Sequence, residues 1–455
     1  VRWLSVFPPL IITVVVAAVV VYVPATSTWL SAHALHRVMV LILAVAVALS
    51  GSSLSSLGRS DSGCAAVHGC GVVITILSVW VSLSSPGWAG SVIMVWQQQN
   101  LRVAGPGEVD VKETPIPEVN MFVDTSSQAA MLKGVRELVL RAKPNWDQNQ
   151  LSIKVLTGGT TNTLLCCSDA ASNEKMLVRI YGSKTELFID RGAEVRNMRL
   201  LHSYGIAPPV YLTFRNGICY GYFEGKVFDV DMVVDPELTV KIAHQIARMH
   251  AVPIDPQAQA KIIPMLEHYL SLVPADILKS AESALKAEFQ MESINLAAEI
   301  QRLKEVYASL DQAVVFCHND LLSKNILLDG DKIHFIDYEY ASANYQGFDI
   351  GNFFCEFGGQ EGYDRSRYPS REWQLRWIRA YLEHYHSLKG LGPASDEDVE
   401  KLFVSVNKGA LASAILWGLW ALIQQAHSTI QFDFKRFAID RLGMYFAKRD
   451  EFLAL

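Results

Sequence analysis

The sequence predicts an α+β chain of two lobes, a small lobe of antiparallel strands with one helix and a larger helical lobe, preceded by an apolar N-terminal leader. Three observations carry that expectation. Short runs of strand character, bounded by glycine and small polar residues, occupy 152–223. From Pro236 onward, apolar residues recur mainly at helical spacing. Within that half, Val314 to Glu356 breaks the helical pattern with short apolar segments and a dense run of His, Asn and Asp. The expected bounds are a leader over 1–100, a linker over 101–127, the small lobe over 128–224 and the large lobe over 225–455.

The 455 residues allow two or three domains, and a hydrophobic content of 50% allows a large core. The formal net charge of −6 leaves no electrostatic footprint for nucleic acid, so a small molecule is the expected partner. Seven cysteines, an odd number without C-x-x-C spacing, read as reduced and mostly buried thiols, which favours the cytoplasm.

In the first hundred residues Arg2, Arg37, Arg59 and Asp61 are the only charges, set among apolar runs at Leu10–Val23, Val38–Leu49 and Val72–Leu83. Each run is shorter than the roughly 20 residues that cross a bilayer as a helix. Arg37, the run after it and Ser50-Gly51-Ser52 imitate the order of a secretory signal. The chain begins with Val. The expectation is a cleaved leader, or one foreign to the natural protein, in preference to a membrane anchor; membrane association is the alternative. Gly105–Pro117, with three prolines and scattered charge, has linker composition.

Met131, Leu132, Val135, Leu138 and Val139 form a helical stripe over Gln128–Ala142, ended by Pro144. Strands are expected at Ser152–Leu156 and Thr163–Cys167. Between them Gly158, Gly159, Thr160, Thr161 and Asn162 make a small-residue turn whose N–H groups can approach a phosphate. Taken alone, that turn is more often a plain hairpin. The strand Lys175–Tyr181 carries Arg179, and Glu194 follows on a helix expected over Arg191–His202. A guanidinium can hold phosphate and a carboxylate together, although a lone arginine on a strand edge reads as a surface salt bridge.

Leu238, Ile242, Ile246 and Met249 form one helical stripe that His250 continues, and His250 reads as a satisfied core histidine. Leu278–Leu310 is a covering helical hairpin. Helices are also expected over Arg371–His386, where His384 and His386 face apart, and over Asn407–His427. In the latter, Trp417 and Trp420 share a face. Such a pair is usually core, yet an indole face also attracts an ammonium ion.

The richest stretch follows the strand ending near Phe316, where His318, Asn319, Asp320 and Asn325 form a polar loop. Ile326–Leu328 and Ile333–Ile336 then pair across Asp329-Gly330, a hairpin signal. The antiparallel pairing places Asn325 before the first arm beside Asp337 after the second. Two oxygen-bearing side chains so placed suit a hard cation such as Mg²⁺, which takes few protein ligands. A carboxylate five residues before such an Asn, with an Asp beyond a hairpin, is the arrangement in which kinases place base, first ligand and second ligand.

Segments CHNDLLSKN (317–325), FIDYEY (335–340) and NYQGFDIGNFFCEF (344–357) resemble the catalytic segments of the choline/ethanolamine kinases. Leu321-Leu322 and Tyr338 are similar to the ethanolamine kinase branch. VRIYG (178–182) and Thr185–Arg191 resemble further family segments, and the likeness runs from about Gln128 to the C-terminus. It implies a protein-kinase-like fold with ATP and Mg²⁺ between the lobes, and transfer of the γ-phosphoryl group to ethanolamine. The product would be phosphoethanolamine, which opens the CDP-ethanolamine route to phosphatidylethanolamine. Under that resemblance Asp320 orients or deprotonates the hydroxyl, while Asn325 and Asp337 hold the metal. Arg179, paired with Glu194, grips phosphate, and Gly158 to Asn162 cover it. The WGLW segment with Trp417 and Trp420 lines the amino-alcohol pocket, Glu356 is a carboxylate beside it, and Asp349 and His318 support the catalytic loop.

Two departures stand out. The phosphate turn lacks the Asp and Lys usual in the ethanolamine branch, and Gly221 stands where the family tends to have Glu. Choline kinase is the nearest alternative. Aminoglycoside phosphotransferases share the His-x-Asp-x-x-x-x-Asn spacing but not WGLW or FIDYEY, and a binding protein that keeps the scaffold without turnover is the alternative of a different class.

Overall fold

Alternating burial along adjacent strands builds the small lobe. The computed structural model describes residues 73–79, 96–102, 116–156, 162–182, 189–360, 362–428 and 430–455. Upstream, the backbones of β1 (Val73–Val79) and β2 (Trp96–Arg102) pair antiparallel. The rest of the expected leader, most of the Gly105–Pro117 segment, and Gly158, Gly159, Thr160 and Thr161 of the phosphate turn lie outside the described residues. The small lobe then runs β3 (Glu118–Val119), α1 (Gln128–Ala142), β4 (Leu151–Leu156), β5 (Asn162–Asp169), β6 (Lys175–Tyr181), α2 (Arg191–Ser203), β7 (Val210–Phe214) and β8 (Gly217–Gly221).

These strands form one sheet in the order β3-β7-β8-β6-β5-β4. Short connections join the antiparallel pairs β4–β5, β5–β6 and β7–β8, β6 pairs antiparallel with β8 across α2 and β7, and β3 runs parallel to β7. Leu165 and Cys167 of β5 and Met176, Val178 and Ile180 of β6 belong to one core with Met131, Val135, Leu138 and Val139 of α1. The helical stripe read from the sequence is thus the face that covers the sheet. Both helices expected between Gln128 and His202 lie in this lobe, α1 and α2. One boundary changes: the lobe begins before Gln128, because β3 joins the sheet and Val123 is fully buried. Charge and proline content marked a linker, whereas the apolar residues Val119, Met121 and Val123 dock it onto the lobe.

The large lobe comprises β9 (Lys226–Val227), α3 (Pro236–His250), α4 (Ile262–Leu272), α5 (Ala275–Phe289), α6 (Leu296–Ser309), β10 (Val314–Cys317), β11 (Ile326–Asp329), β12 (Lys332–Phe335), β13 (Ser342–Tyr345), α7 (Gln346–Cys355), α8 (Arg371–Lys389), α9 (Asp396–His427) and α10 (Phe434–Leu453). The expected hairpin forms, with Asp329 opposite Lys332 and Gly330 turning at φ +55°. β9 adds a third strand to it, and β10 pairs separately with β13.

Helices α7 and α9 cross at backbone distance. A Cβ on Gly351 would stand 2.3 Å from the Val406 carbonyl, and one on Gly409 2.3 Å from the Gly347 carbonyl. Only glycine permits that approach, which sets α9 and its tryptophans against the catalytic segment. α9 starts earlier than the expected Asn407, at a Ser395–Asp398 capping box, because its first turns are charged and hide the apolar pattern. It is long and apolar enough to cross a membrane, but 89% of its most apolar window is buried inside the lobe. Phe348, Phe353, Phe354 and Phe357, all fully buried, each contribute about 1.5–3 kcal/mol by leaving water.

Candidate active site

Strand β10 delivers His318, Asn319 and Asp320 to the cleft, and a buried carboxylate holds that loop from behind. Asp349, in the first turn of α7, accepts from the His318 N–H at 2.9 Å, the Asn319 N–H at 2.7 Å and His250 Nε2 at 3.0 Å. Burial opposes its ionisation, but the bond and charge of His250 and the charge of His318 outweigh that and hold its pKa below the usual carboxylate value. His250 meets the Tyr381 hydroxyl at 2.7 Å through Nδ1, and Gln346 donates to the same hydroxyl at 2.7 Å. The histidine read as satisfied core is satisfied by the group that positions the loop.

Asn319 takes φ +66°, a conformation uncommon outside glycine and kept only where surroundings over-determine it. Its amide donates to the Tyr340 carbonyl and the Ser342 hydroxyl, both at 2.9 Å, and accepts from Asn344 at 2.9 Å. Burial lowers the His318 pKa, and because the Ile336 carbonyl can only accept, Nε2 carries the N–H that donates to it at 3.0 Å. That bond ties the catalytic loop to the residue preceding Asp337.

The hairpin brings Asn325 and Asp337 together as its turn required: the Ile336 N–H donates to the Asn325 carbonyl at 3.0 Å. Asn325 Nδ2 donates to the Asp320 carbonyl at 2.9 Å. With the amide nitrogen so engaged, Asn325 offers its oxygen as a ligand. Asp337, at φ +65°, supplies carboxylate oxygens, so the donor set is all oxygen and fits Mg²⁺.

Arg179 lies on the interior strand β6 and is 5% exposed, which removes the strand-edge reading. It bonds Glu194 through Nη2 and Asp337 Oδ1 through Nη1 at 2.8 Å. Glu194 is wholly buried and held by Arg179 and Arg191. The Asp190 cap of α2 sets it there, accepting from the Ala193 N–H at 2.9 Å. Glu339, not singled out in the sequence, also faces this cluster. Burial and the Asp337 charge raise its pKa, against Arg179 and Arg191. Its place two residues beyond Asp337 in FIDYEY was the available signal.

One cavity of about 400 Å³ is lined by Arg179, Asp320, Asn325, Asp337 and Glu339 together. At one side Leu164, Leu177, Tyr220, Tyr222, Phe223 and Leu327 offer apolar walls; at the other stand Tyr340, Glu356, Trp417, Trp420, Phe437 and Arg441, with Asp320 lining the same space. Gly221 lies under the first side, where a Cβ would sit 2.9 Å from the Pro209 ring. The Pro208-Pro209 step accounts for glycine at that departure. Burial, then the charges of Asp337, Glu356 and Glu339, push the Asp320 pKa well above the ordinary carboxylate value, with Arg441 opposing.

Trp417 and Trp420 meet edge to face at 5.9 Å, and Trp417 Nε1 donates to Asn352 Oδ1 at 2.7 Å. They are core and cavity wall at once. Glu356 caps the C-terminal end of α7 but is 7% exposed, unlike an ordinary acid at a helix end. Arg441 of α10, which the sequence reading missed, engages both its oxygens at 2.6 and 3.0 Å. A charged residue flanked by Phe437, Leu442 and Tyr445 was the only hint.

A two-lobed chain with a carboxylate, two oxygen ligands and a buried arginine converging on the interlobe cavity defines a phosphotransferase of the kinase fold. The chain belongs to the choline/ethanolamine kinase family, whose model matches residues 153–446. It is 40% identical to human ethanolamine kinase 1 over 80% of this chain and 80% of that protein, and 42% identical to mouse ethanolamine kinase 2 over 79% and 92%. Among solved structures it is similar to the Plasmodium vivax ethanolamine kinase, with TM-score 0.61 at 24% identity over 70% of this chain and 90% of that one. The Cryptosporidium parvum choline kinase gives TM-score 0.56 at 22% identity over 71% and 96%. At these identities the structural likeness speaks for the fold.

Proposed function

We propose that this protein transfers the γ-phosphoryl group of ATP to the hydroxyl of ethanolamine, giving phosphoethanolamine and ADP. The observation that carries the reading is the placing of Asp320 in one cavity between the Asn325–Asp337–Arg179 group and the Glu356–Trp417–Trp420 group. Relatives named ethanolamine kinases at about 40% identity support the substrate. The alcohol oxygen bonds to phosphorus as the bond to the ADP oxygen breaks, and the alcohol proton passes to Asp320. Asn325 and Asp337 would hold Mg²⁺, which supplies charge neutralisation on the phosphate oxygens. Arg179 places a fixed positive charge beside them, braced by Glu194, and the aromatic side of the cavity excludes water from the acceptor. Positioning and charge supply most of the catalysis in such transfers. A reaction fed by ATP and five described cysteines that are free thiols fit a cytoplasmic setting.

One observation favours a second reading, choline. Arg441 occupies both oxygens of Glu356, and the remaining walls are aromatic surfaces of the kind that hold a quaternary ammonium. Ethanolamine brings three N–H donors instead, which a site with acceptors selects. Initial rates with each alcohol decide between them: kcat/KM favouring ethanolamine supports the proposal, and equal or better use of choline rejects it.

A further inference from the structure

Arg191, the first residue of α2, joins three parts of the cleft. Its Nη1 donates to Glu194 Oε2 at 3.0 Å and to Glu339 Oε2 at 3.1 Å, and its Nη2 to Asn162 Oδ1 at 3.1 Å. Asn162 Nδ2 donates to the same Glu339 oxygen at 3.2 Å. Tyr181 lies under the guanidinium, with its ring centre 4.1 Å from Cζ. Asn162 is where β5 leaves the phosphate turn, and Glu339 follows Asp337 in the catalytic segment. Glu194, Asp337 and Glu339 each place an oxygen within 4.8 Å of the others. Left alone, that trio would offer a divalent cation more negative charge than the Asn325–Asp337 pair, and affinity follows the number of charged ligands.

We propose that Arg191 is a positioning residue that withholds Glu339 from the metal and ties Asn162, at the start of β5, to the catalytic segment. Asp337 then stands as the carboxylate ligand beside Asn325. A planar fork suits the task, because one guanidinium reaches two carboxylates and an amide at once. The inference rests on reading Asn325 and Asp337 as the metal ligands, so its test separates the two claims.

Mn²⁺ binding to the full chain without nucleotide is followed by electron paramagnetic resonance, with folding checked by thermal melting. Arg191→Gln is expected to tighten Mn²⁺ about fivefold to tenfold by releasing Glu339. Adding Glu339→Gln to that variant should abolish the gain, and Glu339→Gln alone should weaken Mn²⁺ by no more than the loss of one nearby charge, about twofold. The nucleotide KM of Arg191→Gln should rise more than its kcat falls, as Asn162 loses its tie to Arg191. Unchanged or weaker Mn²⁺ binding in Arg191→Gln overturns the proposal, as does loss of Mn²⁺ in Glu339→Gln alone, a measurement open even if Arg191→Gln does not fold. If Asp337→Asn retains full Mn²⁺ binding, the metal reading itself fails and the inference falls with it.

Discussion

Glu356 and Arg441 form a bidentate ion pair at 2.6 and 3.0 Å inside the cavity, with Arg441 2% exposed and stacked 4.6 Å from the Tyr363 ring. The Glu356 carboxylate, which lines the cavity with the tryptophans, is therefore not a lone anion awaiting a cation. An ammonium that reaches Glu356 shares it with a fixed guanidinium, so the pair sets orientation more than it adds raw attraction.

Removing one partner strands the other. Arg441→Gln should cost about 3–5 kcal/mol of stability, since a buried charge left uncompensated is expensive. The double variant Glu356→Gln/Arg441→Gln should cost less than the two single changes added together, read from denaturant melts as a double-mutant cycle. Additive costs would mean that the pair is not coupled. Glu356→Gln should also narrow the preference for ethanolamine over choline, and an unchanged ratio would remove Glu356 from substrate recognition.

Asp320 and Asp349 should respond to pH with opposite signs. The Asp320 pKa is raised by burial and by the neighbouring carboxylates. Its contribution to stability is therefore present in acid and lost as pH rises from the ordinary carboxylate value through the raised one. Asp320→Asn, which abolishes that repulsion, should raise the melting temperature at neutral pH, and the gain should vanish in acid. A melting temperature below wild type at neutral pH would contradict the electrostatics of the cleft.

For Asp349 the folded pKa is lowered, so its stabilisation is present above the ordinary carboxylate value and lost as pH falls through the folded one. Asp349→Asn should cost about 3 kcal/mol near neutrality, the scale of one or two charge-assisted hydrogen bonds, with the gap to wild type closing in acid. kcat should drop as well, because His318 and Asn319 lose their anchor. A stable variant with normal kcat would show that the loop is held by other means.

Local patterns made much of this legible. The turn at Gly330 fixes the register that brings Asn325 to Asp337, and the stripe on α1 is the face that packs on the sheet. Arg179 and Glu194 are 15 residues apart on a strand and a helix that were both expected. What stayed hidden depends on long-range meetings. Arg441 reaches Glu356 across 85 residues, and Arg191 reaches Glu339 across 148. No periodicity or spacing encodes those distances. The early start of the small lobe was hidden differently, because β3 pairs through backbone atoms that composition does not describe.

The most direct test of phosphoryl transfer organised by Asp320 is ³¹P NMR of the full chain incubated with Mg²⁺, ATP and ethanolamine, run beside Asp320→Asn. The account predicts phosphoethanolamine and ADP in equal amounts from the wild type, and a variant kcat lower by about 10²–10⁴ with KM nearly unchanged. No phosphoethanolamine from the wild type, or its formation by Asp320→Asn at the wild-type rate, would contradict it.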